Sequence, residues 1–290
     1  MLLCFDDEQD LATRLARELG RPMGVITRHR FPDGETRVVL PRPLPSDIIV
    51  LRGMQHQPND RLVELLIAAP AARGWGVRHL MLVAPYLAYM RQDMEFTPGE
   101  AVSQRHIAAL LSTFFDRVVT VDPHLHRIAS LDEVMPRGRG VALSAAALLG
   151  RFIAVQVPGA VLVGPDEESG QWVAEAARAG KLEHAVGRKV RFGDTQVQLA
   201  FPELDVRGRS VVLLDDMAST GRTLIGAARE ALERGAASVD VAVTHALFNG
   251  DALPALRAAG VRHIWSSNAV PHETNAVCIA ELLATALRRK

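Results

Sequence analysis

The sequence predicts an α/β fold with mostly parallel sheets, arranged as two similar halves. Three observations carry that expectation. Short apolar runs alternate with alanine- and leucine-rich stretches of helical spacing. Several of these runs stop abruptly on polar or turn residues, as in "VVTVDPH", "VLVGPDEE", "VVLLDD", "VAVTH" and "LMLVAPY". Near the middle, "EVMPRGRGVALS" (133–144) gathers Pro136, Gly138 and Gly140 among charges, as a connection between halves would.

In the first half, strands are expected at Leu2–Phe5, 48–51, His79–Ala84 and 118–121. In the second they are expected at 160–163, 210–214 and 239–244. These runs are too short for helices, and their apolar residues are continuous rather than alternating. That pattern belongs to strands covered on both faces. Helices are expected at 60–73, 101–114, 171–179 and 223–234, where apolar residues recur at three- and four-residue spacing. A last helix, 276–287, fits against either half. The domains are therefore read as 1–141 and 142–290. Neither a solenoid repeat nor a low-complexity tract is present.

The chain has 290 residues, 48% of them hydrophobic, enough for about two domains. Its 33 basic and 33 acidic residues balance, which argues against a general nucleic-acid or membrane surface and leaves room for small anionic ligands at a local basic site. The two cysteines, Cys4 and Cys278, can build no disulfide framework and no cysteine-rich zinc site. The opening "MLLCFDDEQD" turns acidic too early for a signal peptide. No apolar run reaches the ~18 residues of a membrane span. A soluble cytoplasmic protein is expected.

In open parallel sheets, ligands bind beyond the carboxyl ends of the strands. Asp122, His124, Asp166, Asp215, Asp216 and His245 fall at such ends. A single acid there is more often a helix cap or turn residue; the recurrence of the pattern is what points to function.

The richest stretch is "VVLLDDMASTGRTL" (211–224). A buried strand runs into two adjacent acids, then a hydroxyl-rich turn, then a helix expected to start near Gly221 and end at Gly235. The first turn of a helix offers open N–H groups and positive potential, which suits a phosphate. Ser219, Thr220 and Thr223 add hydroxyl donors. Asp215 and Asp216 suit vicinal sugar hydroxyls or a Mg²⁺ ion. Capping explains Ser219 or Thr220, but not two acids side by side. The segment describes a sugar-phosphate pocket.

This segment resembles the ribose-phosphate motif of type I phosphoribosyltransferases and of their relatives, the ribose-phosphate pyrophosphokinases (phosphoribosyl pyrophosphate synthetases). Arg222 stands where glycine is common. Other stretches resemble the pyrophosphokinases alone. "FPDGETRV" and "PYLAYMRQDMEFTPGEAVS" look like that family's ATP segments, which places Phe31, Asp33, Glu35, Arg91, Gln92 and Asp93 on ATP, the first three often from a neighbouring subunit. The residue types fit: Phe31 can stack on a purine, carboxylates can accept from its amine, and Arg91 can pair with phosphate. "VDPHLHR" matches an Asp-x-His segment whose histidine is a Mg²⁺ ligand, implying that role for His124 near ATP, with His126 as support or surface.

"GRKVRFGDTQV" looks like the mobile catalytic loop with its Lys-x-Arg pair, implying Lys189 and Arg191 as catalytic cations. "VLVGPDEESGQW" stands where the family has Pro-Asp and a glycine-rich turn. Asp166 matches the metal-site aspartate, while Glu167, Glu168 and Ser169 replace the glycines.

The resemblance thus implies two phosphoribosyltransferase-like domains, each a mostly parallel sheet flanked by helices. It implies transfer of the β,γ-diphosphoryl group of ATP to the C1 hydroxyl of ribose 5-phosphate, with Mg²⁺, by a homo-oligomer built from dimers, up to a tetramer or hexamer. Ribose 5-phosphate would lie on Asp215, Asp216, Ser219, Thr220, Gly221 and Thr223. No nucleic acid and no membrane is expected as a partner. Two alternatives stand beside this reading: a phosphoribosyltransferase consuming phosphoribosyl pyrophosphate, and a non-catalytic regulatory paralogue of a synthetase.

Overall fold

A computed structural model describes residues 1–290 apart from 126, 129, 136–138, 193–195, 201–203 and 289–290, and apart from the side chains of 139, 188–192 and 196–200. The chain divides into two units, Met1–Leu143 with Ile279–Lys290, and Ser144–Cys278.

The first unit holds β1 (Leu2–Phe5), α1 (Gln9–Leu19), β2 (Met23–Arg30), β3 (Thr36–Val39), β4 (Asp47–Leu51), α2 (Pro58–Gly74), β5 (His79–Ala84), α3 (Ser103–Phe114), β6 (Arg117–Val121) and β7 (Arg139–Leu143). Its seven-stranded sheet has the order β3-β2-β1-β4-β5-β6-β7. All pairs are parallel except β2–β3, an antiparallel hairpin. Leu3, Phe5, Ile48, Val50, Leu80, Leu82 and Val118 are buried in one core with Leu65, Ala69 and Ala72 of α2 and Leu111 of α3.

The second unit holds α4 (Ala146–Gln156), β8 (Val161–Gly164), α5 (Gly170–Gly180), β9 (Glu183–Val186), β10 (Arg188–Phe192), β11 (Gln196–Ala200), β12 (Ser210–Ala218), α6 (Arg222–Glu233), β13 (Ser238–Ala246), α7 (Ala252–Ala258), β14 (Val261–Ser267) and β15 (Asn275–Val277). Its six-stranded sheet, β15-β14-β13-β12-β8-β9, is parallel throughout, and β10–β11 form a separate antiparallel pair. Strand β12 shows why a continuous apolar run becomes a central strand. Val211 and Leu213 face the core under α6, while Val212 and Leu214 face the core under α4 and α5. Successive side chains point to opposite faces, so both faces must be apolar.

The two sheets repeat one order. The strands β2-β1-β4-β5-β6-β7 and β9-β8-β12-β13-β14-β15 correspond one for one, and in each unit an antiparallel pair, β2–β3 or β10–β11, is completed before the third corresponding strand of the chain. The two similar halves expected from the sequence are therefore present. The change of unit falls at Leu143/Ser144, inside the Pro/Gly-rich segment.

The chain end corrects the expected domain 142–290. Helix α8 (Ala280–Arg288) belongs to the first unit. It buries Leu283, Ala284 and Leu287, packs on α1, and the Arg288 guanidinium donates to the carbonyl of Glu18. Residues 276 and 277, the start of the helix expected at 276–287, end the edge strand β15 instead. Among the described residues no helix is long and apolar enough to cross a membrane.

Candidate active site

In the second unit, β12 does not stop at Leu214. Its pairing with β8 ends at Leu213, but its pairing with β13 continues through Met217↔His245 and Ala218↔Ala246. Asp215 and Asp216 are thus strand residues, held by β13 on one side and released from β8 on the other. The expectation that the acids follow the strand is corrected. A nine-residue strand carries them past its shorter neighbour. His245 likewise lies inside β13, buried, rather than beyond its end.

Asp216 is buried and Asp215 half-buried. The amide of Asp216 donates to Oδ1 of Asp215 at 2.9 Å. The Asp215 carboxyl titrates well above the ordinary carboxylate range; burial is the largest cause, followed by the negative charges of Asp216 and Asp166. Asp166 enters this field because it follows β8, the neighbour of β12. Behind it the chain folds tightly. Ser169 is fully buried and its hydroxyl donates to the Asp166 carbonyl at 2.6 Å. A Cβ on Gly164 would stand 2.3 Å from the Ser169 Oγ. In place of a glycine-rich turn, Glu167–Ser169 make one turn of 3₁₀ helix leading into α5, with Glu167 and Glu168 exposed.

Ser219, Thr220 and Gly221 form the turn from β12 into α6, and Thr223 lies in the first turn of that helix. Gly221 has φ 70°, in the left-handed region that a side chain disfavours. That turn aims the strand's end into the helix start. Arg222 is the first helical residue and is exposed. The helix begins one residue after the expected point and ends at Glu233, before Gly235. Sequence reading passed over Asn249, whose Nδ2 donates to the Ser219 Oγ at 3.1 Å.

The corresponding edge of the first unit is built differently. Where the second unit has an acid pair on β12, the first has Arg52 just after β4. Where the second has Asp166 after β8, the first has Asp6, Asp7 and Glu8 after β1. Arg52 is fully buried. It pairs with Asp7 at 2.6 Å, with Glu8 at 3.5 Å and with Glu64 of α2, and lies 4.3 Å from the Phe5 ring. This edge of the first unit is closed by its own ion pairs.

The other first-unit residues group in two places. Arg91, Gln92 and Asp93 follow β5, and His124 follows the adjacent strand β6. Arg127 ties these segments together, pairing with buried Asp93 at 2.6 Å. Asp93 Oδ2 is buried without a hydrogen-bond partner. Gln92 is braced by Glu100, which accepts from its Nε2 at 3.0 Å, and Arg91 is exposed. Asp122 sits at φ 38°, a rare backbone region for a non-glycine residue, just before His124, which is half-buried. Arg127 went unassigned in the sequence because its partner lies 34 residues away.

Phe31, Asp33 and Glu35 occupy the tip of the β2–β3 hairpin. The Phe31 amide donates to the Glu35 carbonyl at 2.8 Å, and the Asp33 carboxylate accepts from the Glu35 amide at 3.2 Å. All three are exposed; Phe31 is 39% exposed and meets His29 edge-on at 4.7 Å between ring centres. The tip shares the carboxyl edge of the sheet with Arg91 and His124, but β1 and β4 stand between β2 and β5. Three strand spacings, roughly 14 Å, thus lie between the hairpin strand β2 and the strand β5 that leads to Arg91.

Lys189 and Arg191 lie on β10, opposite Leu199 and Val197 of β11. Their side chains, and His126 entirely, lie outside the described residues. Among the described residues, no three His, Cys, Asp or Glu side chains converge to hold a metal ion between them. His124 belongs to the first unit and Asp166 to the second.

Comparisons with known proteins agree with this layout. A family described as the N-terminal domain of ribose phosphate pyrophosphokinase matches residues 1–114, and the phosphoribosyl transferase domain family matches 145–264. The chain is 36% identical over 289 residues to the ribose-phosphate pyrophosphokinase of Methanopyrus kandleri, covering 99% of this chain and 98% of that protein. It is 33% identical over 290 residues to that of Halobacterium salinarum, covering 99% and 100%. The crystal structure of phosphoribosylpyrophosphate synthetase from Mycobacterium smegmatis aligns with a TM-score of 0.86 at 28% identity, covering 99% and 97%. With two matching domains in order and relatives alike over nearly their whole length, the chain belongs to the ribose-phosphate pyrophosphokinase family.

Proposed function

We propose that the chain is a ribose-phosphate diphosphokinase. It transfers the β,γ-diphosphoryl group of ATP to the C1 hydroxyl of ribose 5-phosphate, giving phosphoribosyl pyrophosphate and AMP. The observation that carries this reading is the coexistence of two features in one chain. The acid pair of β12 runs through a left-handed Gly221 into α6, and a complete first half carries the Phe31, Arg91 and His124 segments. A transferase that consumes phosphoribosyl pyrophosphate needs the first feature and has no use for the second.

The C1 oxygen attacks the β-phosphorus as the bond to the α,β-bridging oxygen breaks. AMP departs with that oxygen, and the hydroxyl proton is released. Ser219, Thr220, Thr223 and the open N–H groups of α6 hold the 5-phosphate. Asp215 and Asp216 accept from the ribose hydroxyls and so orient C1. Arg91, Gln92, Asp93 and His124 hold ATP. Lys189 and Arg191 stabilise charge on the transferring group, a contribution of several kcal/mol when such cations are preorganised.

The donors present suit Mg²⁺, because the carboxyl groups of Asp215, Asp216 and Asp166 act on one another, a setting that favours a hard cation with oxygen ligands. His124 in the first unit and Asp166 in the second would each be a candidate protein ligand within its own unit, with substrate oxygens completing either set. When bound, Mg²⁺ neutralises phosphate charge and polarises the β-phosphorus.

The exposed hairpin tip supports a homo-oligomer based on a dimer, in which Phe31, Asp33 and Glu35 of one copy complete the ATP site of another. The two cysteines, one buried and one exposed, are unpaired, as in a reducing compartment such as the cytoplasm. The test is AMP release from ATP with Mg²⁺, with and without ribose 5-phosphate. Ribose-dependent AMP supports the assignment. Ribose 5-phosphate binding without AMP overturns it in favour of a transferase or a regulatory paralogue.

A further inference from the structure

Beyond Ala218 the β12–β13 ladder continues in another form. The amide of Leu247 donates to the Ala218 carbonyl at 3.0 Å, and the amide of Asn249 donates to the Ser219 carbonyl at 3.0 Å. Asn249 then adds a side-chain bond, Nδ2 to the Ser219 Oγ at 3.1 Å. Asn249, three residues past the end of β13, thus grips both the backbone and the hydroxyl of the first residue in the turn leading to α6.

The direction of the side-chain bond has a consequence. A serine hydroxyl has one proton and two acceptor sites. When it accepts from an amide N–H, one acceptor site is filled and the proton stays available for another partner. Were the hydroxyl instead to donate to a side-chain oxygen, only lone pairs would remain to face a phosphate oxygen, and the contact would be repulsive. Ser219 stands beside the left-handed Gly221 that opens the first turn of α6, where phosphate oxygens would sit.

We propose that Asn249 is a positioning residue for ribose 5-phosphate: it holds the Ser219 hydroxyl as an acceptor, so that its proton is directed to the 5-phosphate. This rests on the sugar-phosphate reading of the 215–223 segment. Asn249 is exposed, so its replacement leaves the core intact, and its backbone bond to Ser219 persists in any variant.

The test is a double-mutant cycle with ribose 5-phosphate affinity by calorimetry, KM for both substrates and thermal midpoint as readouts. Asn249→Ala should weaken ribose 5-phosphate binding about 3- to 12-fold, the usual net worth of an ordinary hydrogen bond, with KM for ATP and the thermal midpoint unmoved. In a Ser219→Ala background the same replacement should change affinity less than about twofold, because the hydroxyl it orients is gone. Asn249→Asp keeps the shape and offers only acceptors, so it should bind ribose 5-phosphate no better than Asn249→Ala. Additive losses, or an Asp variant with wild-type affinity, would overturn the inference while leaving the sugar-phosphate site standing. A wild-type chain that binds no ribose 5-phosphate would overturn the site and the inference together.

Discussion

Asp215 and Asp216 stand side by side on β12, and the amide of Asp216 donates to the Asp215 carboxylate at 2.9 Å. Two negative charges are held next to each other at the sheet edge, with Asp166 adding a third to the field. This crowding of carboxyl groups costs stability unless a proton, a hydroxyl donor or a cation offsets it.

The pH consequence follows in sign. Burial and like charge raise the folded-state pKa of Asp215 above its value in the unfolded chain. The folded state then gains from protonation at low pH, and that gain is lost as pH rises through the raised pKa. Asp215→Asn should raise the thermal midpoint by roughly 2–4 °C at pH 8, and by less at pH 5, where the wild-type carboxyl is closer to neutral. The same variant should bind ribose 5-phosphate at least tenfold more weakly. Scanning calorimetry at both pH values, with and without the sugar phosphate, checks both halves. A lowered midpoint at pH 8 would contradict the charge account.

In the first unit, burial pushes the Glu8 carboxyl up to about 7, with the Arg52 charge pulling it down and the Asp7 charge pushing it up. The stability that goes with its protonated form is present below the unfolded value of 4.5 and disappears as pH rises to about 7. Glu8→Gln should flatten the pH dependence of unfolding across that window, on the order of 3 kcal/mol between its ends. Denaturant titrations at the two ends measure it. The neighbouring change Arg52→Met should cost about 3–5 kcal/mol at neutral pH, since it strands buried carboxylates.

Phe31→Ala should raise KM for ATP about three- to tenfold, the worth of an aromatic stack, without altering ribose 5-phosphate binding. Its position at an exposed tip gives a sharper test. At ATP well below the wild-type KM, an equal mixture of Phe31→Ala and Arg91→Ala chains under subunit exchange should show about a quarter to a third of wild-type activity, because half of the dimers then hold one intact composite site. Hairpins acting within their own chain would leave the mixture at about half the activity of Phe31→Ala alone.

Lys189→Ala should lower kcat by about 10²–10³ while ribose 5-phosphate affinity stays within about twofold, the pattern of a group that acts mainly on the transition state. An unchanged kcat would remove Lys189 from the chemistry.

Much of this molecule was legible in its sequence where residues face one environment on both sides. The runs at Leu2–Phe5 and His79–Ala84 became strands with the expected bounds, because central parallel strands must be apolar throughout. Elements that keep one side toward solvent were missed for the converse reason. "MGVITRHR" of β2 and "VRHIWSS" of β14 carry polar residues toward solvent, and α1 buries only a stripe, Leu11, Ala12, Leu15 and Ala16.

The length of β12 was also hidden. Two acids look like a strand's end, and only the longer partner β13 keeps them in register. The residues of the β12–α6 turn could be named from local pattern, and the other motif residues from the family resemblance. Asn249 and Arg127 could not, since what makes them matter is a partner 30 or 34 residues away in sequence. The hairpin tip was legible as a motif, but its distance from Arg91 depends on strand order, which spacing does not encode.

The central claim is transfer of a diphosphoryl group, and phosphorus NMR of the reaction mixture tests it most directly. With ATP, Mg²⁺ and ribose 5-phosphate, the spectrum should gain the AMP singlet and a pair of coupled diphosphate doublets attached through C1, growing together and absent without the sugar. Appearance of ADP with free phosphate, or of AMP with free pyrophosphate and no C1-linked product, would contradict it.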